Sequence, residues 1–261
     1  MCLILFSFDL HPEYQYIVAG NRDEFYERPT QSLDFWKDEP LILAGRDLEG
    51  GGTWLGVTKT LKFAAITNYR APLTVNENAP SRGNLVRNFL AGAVSPETYL
   101  EHVRKTGHKY NGFNLLIGNK DQLWYYSNQG GKIQQISSGF YGLSNHFLDT
   151  PWPKVKKSKS SLKMIFDKKK IDIEAVFEIL SNRHYPPEDQ LPDTGVDPSW
   201  ERILSPIFIR SNVYGTRSSS ILLIKKTGQT TFIERTFSTI KDGGVHQNTR
   251  TFNFSGTPFP D

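Results

Sequence analysis

At 261 residues with 38% hydrophobic content, the chain can bury a sizeable core and is expected to form one domain over residues 1–261. A single cysteine excludes an internal disulfide framework and a Cys-rich zinc site, and a net charge of +4 is too mild to imply a nucleic-acid partner. No apolar run approaches the ~20 residues of a membrane span, and the first residues lack the basic start and cleavage site of a secretory signal, so a cytoplasmic protein without an integral membrane segment is expected.

The chain opens with Met1-Cys2. A lone cysteine at the head of an apolar run, Cys2-Leu3-Ile4-Leu5-Phe6, is ordinarily a small inert core residue. Its position allows a second reading. Removal of the initiator methionine would leave one residue carrying both a thiol and an α-amine of pKa about 7.7 to 8.0, a nucleophile with its own base. Cys2 to Phe8 and Tyr14 to Ala19 read as two paired strands. The second ends in Gly20-Asn21-Arg22-Asp23-Glu24, which puts charge at a strand end. If extended geometry continues, Arg22 and Glu24 share one face and Asn21 and Asp23 the other, and only one pair can face Cys2. The bland alternative is a solvated turn.

Gly45 to Gly56 reads as a flexible hinge feeding a short strand that ends at Val57. Its glycines precede no Lys-Ser/Thr and open no helix, which rejects nucleotide binding and leaves close backbone approach as their use. Trp54 is a core residue or a ligand-facing wall. Phe63 to Thr67 is a strand that delivers Asn68-Tyr69-Arg70 just before a turn at 71–72. An asparagine N–H aimed at a developing oxyanion is worth about 2.7 to 4 kcal/mol in the transition state, although turn-forming asparagines are commoner.

Leu85, Phe89 and Leu90 predict a helix capped by Ser81, and Ser95-Pro96-Glu97 starts another. Short strands follow at Phe113 to Ile117, Leu123 to Ser127, Ile133 to Ile136 and Tyr141 to Leu143, an antiparallel meander that delivers a second strand-end asparagine, Asn145. Asp172 caps a helix with an apolar stripe of Ile173, Val176, Phe177 and Leu180. The lysines between Lys154 and Lys170 read as a solvated face, with no aromatic interleaving for base stacking. Residues 184–211 read as a long loop suited to a lid or binding role. Arg217 is expected just ahead of two alternating strands, Ile221 to Ile224 and Thr231 to Arg235, where its permanent charge would favour a thiolate or oxyanion. The tail from Phe252 to Asp261 is expected to pack along the surface.

Taken in order, these segments resemble the NRDE family, also called the transport and Golgi organisation family, over nearly the whole chain. The blocks that carry the resemblance are Met1-Cys2, Asn21-Arg22-Asp23-Glu24, Gly51-Gly52-Thr53-Trp54-Leu55-Gly56, Thr67-Asn68-Tyr69-Arg70, Ser81-Arg82-Gly83-Asn84-Leu85-Val86, Phe113-Asn114-Leu115-Leu116, Gly142-Leu143-Ser144-Asn145 and Gly215-Thr216-Arg217-Ser218-Ser219. The family in turn is similar to the cysteine N-terminal-nucleophile hydrolases, among them penicillin V acylase, bile salt hydrolase and acid ceramidase. That resemblance implies an α+β fold, a four-layer αββα sandwich of two antiparallel sheets flanked by helices.

It also implies Cys2 as nucleophile with its freed amine as base, Asn68 and Asn145 as oxyanion and amine-side contacts, and Arg217 as the distal arginine. Those acylases resemble Gly-Arg-Asn-Leu-Asp where this chain has Gly20-Asn21-Arg22-Asp23-Glu24. Counting from the glycine places Glu24 at their acid and Asn21 at their arginine, so Arg22, Asp23 and Glu24 all stay catalytic candidates. Asn21, Trp54, Tyr69 and His146 are the expected substrate contacts. No cofactor or metal is required, and the substrate is a small-molecule linear amide or related acyl compound. The rival reading is a non-catalytic binding or trafficking protein for haem or another small ligand in the same pocket, with Cys2 as an iron ligand and His146 nearby.

Overall fold

The structure, a computed structural model, describes residues 2–70, 75–239 and 245–257. Met1, the turn expected at 71–72 and the end of the tail at 258–261 lie outside them. One antiparallel sheet has the order β10 (Gly139–Leu143), β1 (Cys2–Phe8), β2 (Tyr14–Phe25), β11 (Tyr214–Lys225), β12 (Gln229–Thr239), β13 (Val245–Ser255). The other runs β3 (Thr30–Phe35), β4 (Ile42–Asp47), β5 (Leu55–Thr58), β6 (Phe63–Asn68), β7 (Phe113–Gly118), β8 (Leu123–Ser127), β9 (Ile133–Gln135). Helices α1 (Gly83–Ala91) and α2 (Pro96–Thr106) cover the second sheet, and α3 (Pro153–Phe166) and α4 (Ile173–Leu180) cover the first. The layering is αββα, as expected.

Strand alternation explains the layers. Every residue of β1 is buried, because both of its faces are covered. Ile4, Phe6 and Phe8 point into the core between the sheets with Tyr16 and Val18, and Leu3 and Leu5 point into the core under α3 and α4 with Ile17 and Ala19. Helix α4 starts and packs as its sequence predicts: Asp172 accepts from the Ala175 N–H, and Val176, Phe177 and Leu180 are buried. In α3, by contrast, Lys154 is buried and not part of the solvated lysine face expected there. Ser95 likewise caps α2 by accepting from the Thr98 N–H. Among the described residues no helix is long and apolar enough to cross a membrane.

The structure differs from the sequence reading at several elements. β2 does not stop at Ala19. It runs through the charged motif to Phe25 because β11 starts at Tyr214, well before Ile221, and pairs with it: Tyr214 with Phe25, Thr216 with Asp23, Ser218 with Arg22. The register shifts between Thr216 and Ser218, so Arg217 lies inside the strand as a bulge residue. The expected hinge contains the second half of β4, and Gly45 is a strand residue whose missing side chain leaves room for the Glu234 carboxyl, 3.3 Å from where a Cβ would sit. Helix α1 has Arg82, not Ser81, at its N-cap and no side-chain cap bond. Phe252 and Phe254, expected as the start of a tail, belong to the edge strand β13. The long loop contains a short helix, α5 (Pro198–Ile203), capped by Asp197.

The loop from Gly50 to Thr53 is pressed onto the start of α1. A Cβ on Gly52 would come 2.5 Å from the Gly83 carbonyl oxygen and 2.6 Å from the Asn84 nitrogen. A Gly52→Ala variant should therefore lose about 1 to 3 kcal/mol of stability, as overpacked sites do. Urea unfolding checks this, and an unchanged midpoint would mean the loop can lift off α1.

Candidate active site

β1 and β2 pair with Cys2 opposite Arg22 and Leu3 opposite Asn21. Cross-strand partners share a face, so Cys2, Arg22 and Glu24 look toward the second sheet and Asn21 looks toward the helices. Cys2 is 7% exposed and lies on the wall of a cavity of about 780 Å³ together with Arg22, Asp23, Glu24, Trp54 and Asn68. Asp23 serves both sides. Its backbone N–H supports the Cys2 sulfur, its carboxyl accepts from Thr216 Oγ1 at 2.7 Å, and its carbonyl accepts from the Tyr214 hydroxyl at 2.8 Å.

Burial dominates the protonation states here. It pushes the Cys2 thiol up, with the Asp23 charge acting the same way and Arg22 opposing. It also raises Asp23, against the opposing ammonium of Lys154 and the Thr216 bond. Lys154 itself is buried, donates to the Leu204 carbonyl at 3.0 Å, and is pulled down to about 8 by the same desolvation.

Around the mouth of the cavity the charges are paired. Arg22 donates to Thr30 Oγ1 at 3.2 Å and stands 3.9 Å from Glu24 and 3.8 Å from Asp47. Arg28 bonds Asp47 at 2.8 Å. Burial alone would raise Asp47, but the Gly50 N–H and Arg28 outweigh it and hold the carboxyl below its ordinary range. Deeper in, Glu234 accepts from the Leu33 N–H at 2.6 Å and from the Ser218 hydroxyl, tying β12 to β3 and β11. Burial raises this carboxyl as well, with the Leu33 and Ser218 bonds and the charges of Arg22 and Arg250 opposing.

Five of the expected site residues do not line the cavity. Asn21 is fully buried under the helical layer, donating to the carbonyls of Leu180 and Ile207 at 2.9 and 2.8 Å and accepting from Ser219. Asn145 donates to the Asn68 carbonyl at 3.0 Å, so it steadies Asn68 from behind. Tyr69, His146 and Phe147 form a cluster of tilted and edge-on rings, and His146 Nδ1 pairs with Thr150 Oγ1 at 2.9 Å. Arg217 donates to the carbonyls of Phe25, Tyr26 and Arg28 at 2.8, 3.0 and 3.0 Å, tethering the chain that leaves β2.

The sequence matches the family described as Transport and Golgi organisation 2 over residues 1–239. The chain belongs to that family. The human Transport and Golgi organization protein 2 homolog is 37% identical across 98% of this chain and 99% of its own length, and the Bos taurus homolog 38% across 90% and 92%. The Drosophila melanogaster Transport and Golgi organization protein 2 is 30% identical across 95% and 96%. Among solved structures, a Caenorhabditis elegans ortholog of N-acylethanolamine-hydrolyzing acid amidase aligns at 8% identity and a TM-score of 0.48, covering 85% of this chain and 92% of its own. A mutant conjugated bile acid hydrolase from Clostridium perfringens aligns at 10% and 0.45, covering 100% and 99%. Both likenesses are loose, and the chemistry of the site rests on this chain's own residues.

For this Transport and Golgi organisation 2 chain, sequence reasoning missed Arg28, Asp47, Arg82, Trp200, Ser218 and Glu234, all on the cavity wall. Three carried a usable signal, Ser218 through its place in the Gly215 to Ser219 block. Glu234 sits two residues from Phe232 in a strand, so alternation turns both inward, and Arg82 lies in the Ser81 to Val86 block. Glu234 also generates a pH prediction. A carboxyl whose folded pKa is raised adds stability that is fully present below its unfolded value and is lost as pH rises through the folded one. Wild-type protein should therefore lose stability relative to Glu234→Gln as pH climbs above about 4.3, the ordinary glutamate value. Parallel urea midpoints for the two proteins would refute this reading of Glu234.

Proposed function

We propose that the chain is a cysteine N-terminal-nucleophile amidohydrolase acting on a linear amide or related acyl bond of a small molecule. The observation that supports it most is the placement of Cys2 on a cavity wall beside Arg22, Asp23 and Asn68. Removal of Met1 would free the Cys2 amine. That amine takes the thiol proton, and the thiolate attacks the acyl carbon. The side-chain N–H of Asn68 holds the oxyanion, and Asn145 holds Asn68. As the C–N bond breaks, the leaving amine departs with the proton. Water then adds to the thioester, the carboxylic acid leaves, and the thiol is restored.

Each electrostatic element has a part in this scheme. Burial keeps the resting thiol protonated, and Arg22, directly across the strand pair, supplies permanent positive charge as the thiolate forms. In this scheme the buried Asp23 carboxyl, held by Thr216, orients the freed amine. Haem fits this cavity poorly. His146, the histidine expected near the pocket, is engaged in the aromatic cluster with Thr150 and does not line the cavity, so it is not placed to ligate an iron there.

Untagged protein is expected to show intact-mass loss of one methionine residue and to hydrolyse members of a panel of N-acyl amides. A Cys2→Ala variant should lose about three orders of magnitude or more of that turnover. Full retention of Met1, or undiminished turnover by the variant, would sink the proposal.

A further inference from the structure

Four arginines line the cavity, and three of them are neutralised within the protein. Arg22 faces Asp47 at 3.8 Å, Arg28 faces Asp47 at 2.8 Å, and Arg46 faces Asp38 at 2.6 Å. Arg82 differs. Among the described residues it forms no ion pair, and its single hydrogen bond runs from Nη1 to the Gly112 carbonyl at 2.9 Å, which leaves its other N–H groups without a protein acceptor. Glu24 is the nearest acid in electrostatic effect, yet its Oε1 accepts from the Phe25 N–H at 3.0 Å and its Oε2 lies 3.9 Å from both Arg22 and Arg28. Burial pulls the Arg82 guanidinium below its ordinary value, with Glu24 and Cys2 opposing, and Arg82 lines the same cavity as Cys2.

A guanidinium on a cavity wall that spends one N–H on the protein keeps the rest to offer a ligand, and an anion is the partner that suits its charge. Its planar fork matches a carboxylate bidentately, where an ammonium would act as a point charge. The same cavity has an apolar stretch of wall from Phe25, Trp200, Leu204 and Tyr214. We infer that Arg82 anchors a carboxylate on the ligand, so that the cavity takes N-acylated amino acids and similar amides bearing a free carboxylate in preference to neutral amides. The amide part of this inference rests on the amidohydrolase reading; the anionic part rests on Arg82 alone.

Calorimetric titration of the full chain carrying Cys2→Ala, so that no hydrolysis intervenes, with N-octanoylglycine and with its neutral counterpart N-octanoylglycinamide tests the anchor. The carboxylate should bind about tenfold or more tighter, as expected for a hydrogen bond between charged partners. In Arg82→Gln the ratio should collapse to near one, and Arg82→Lys should keep part of it, which separates lost charge from lost folding. Equal affinity for the two ligands, no binding of either, or a preference that survives Arg82→Gln would overturn the anchor. The two ideas fail separately. A preserved carboxylate preference in a protein without Cys2-dependent turnover overturns the amidohydrolase reading alone, and turnover without the preference overturns the anchor alone.

Discussion

The site depends on one register. With Cys2 opposite Arg22, period-two alternation sends Arg22 and Glu24 to the cavity and Asn21 to the helical side. A slip of one residue would bury the Arg22 guanidinium beside Leu3 and Leu5 under the helices and put the Asn21 amide beside the thiol. Asn21 guards against that slip. Its amide bonds to Leu180, Ile207 and Ser219 come from three separate parts of the chain, and they can form together only in the observed pairing. The residue expected to touch substrate thus acts as the peg that sets where its neighbours point.

Around that register one physical effect, desolvation, acts with opposite sign on acids and bases. It raises Cys2, Asp23 and Glu234 and lowers Lys154, so the buried groups are all pushed toward their neutral forms. The exposed side of the same cavity behaves otherwise. There Asp47 gathers bonds from Gly50 and Arg28 and is held ionised. A dry end that favours neutral groups and a wetter end of fixed charge suit an uncharged thiol at rest and a polar ligand group at the mouth.

Much of the fold was legible in the sequence, and for local reasons. β1 is a continuous apolar run, α2 and α4 announce themselves by Ser95-Pro96 and Asp172, and the meander of β7, β8 and β9 is punctuated by turn residues, whereas the fourth strand expected in it, β10, crosses to the other sheet and pairs with β1. The extent of β2 was not legible. Four polar residues after Ala19 look like a turn, and what makes them a strand is the pairing with β11 some 190 residues later, which no local pattern reveals. The family motifs located Cys2, Arg22, Asp23, Glu24 and Asn68, all of which share one cavity. They gave no orientation for Asn145, His146 or Arg217, whose directions are decided by distant carbonyls and neighbouring aromatic rings.

The bulge at Arg217 gives that last residue an unusual standing. Thr216 and Ser218 pair with adjacent residues of β2, so position 217 is an insertion that disturbs no ladder partner on either side. Taking the residue out would leave a more regular sheet. It would also leave the carbonyls of Phe25, Tyr26 and Arg28 without their shared donor, just where the chain turns to form the rim that carries Phe25 and Arg28. Sheet regularity and rim stiffness are thus traded against each other at a single position, and the chain has kept the irregular strand and the stiffer mouth.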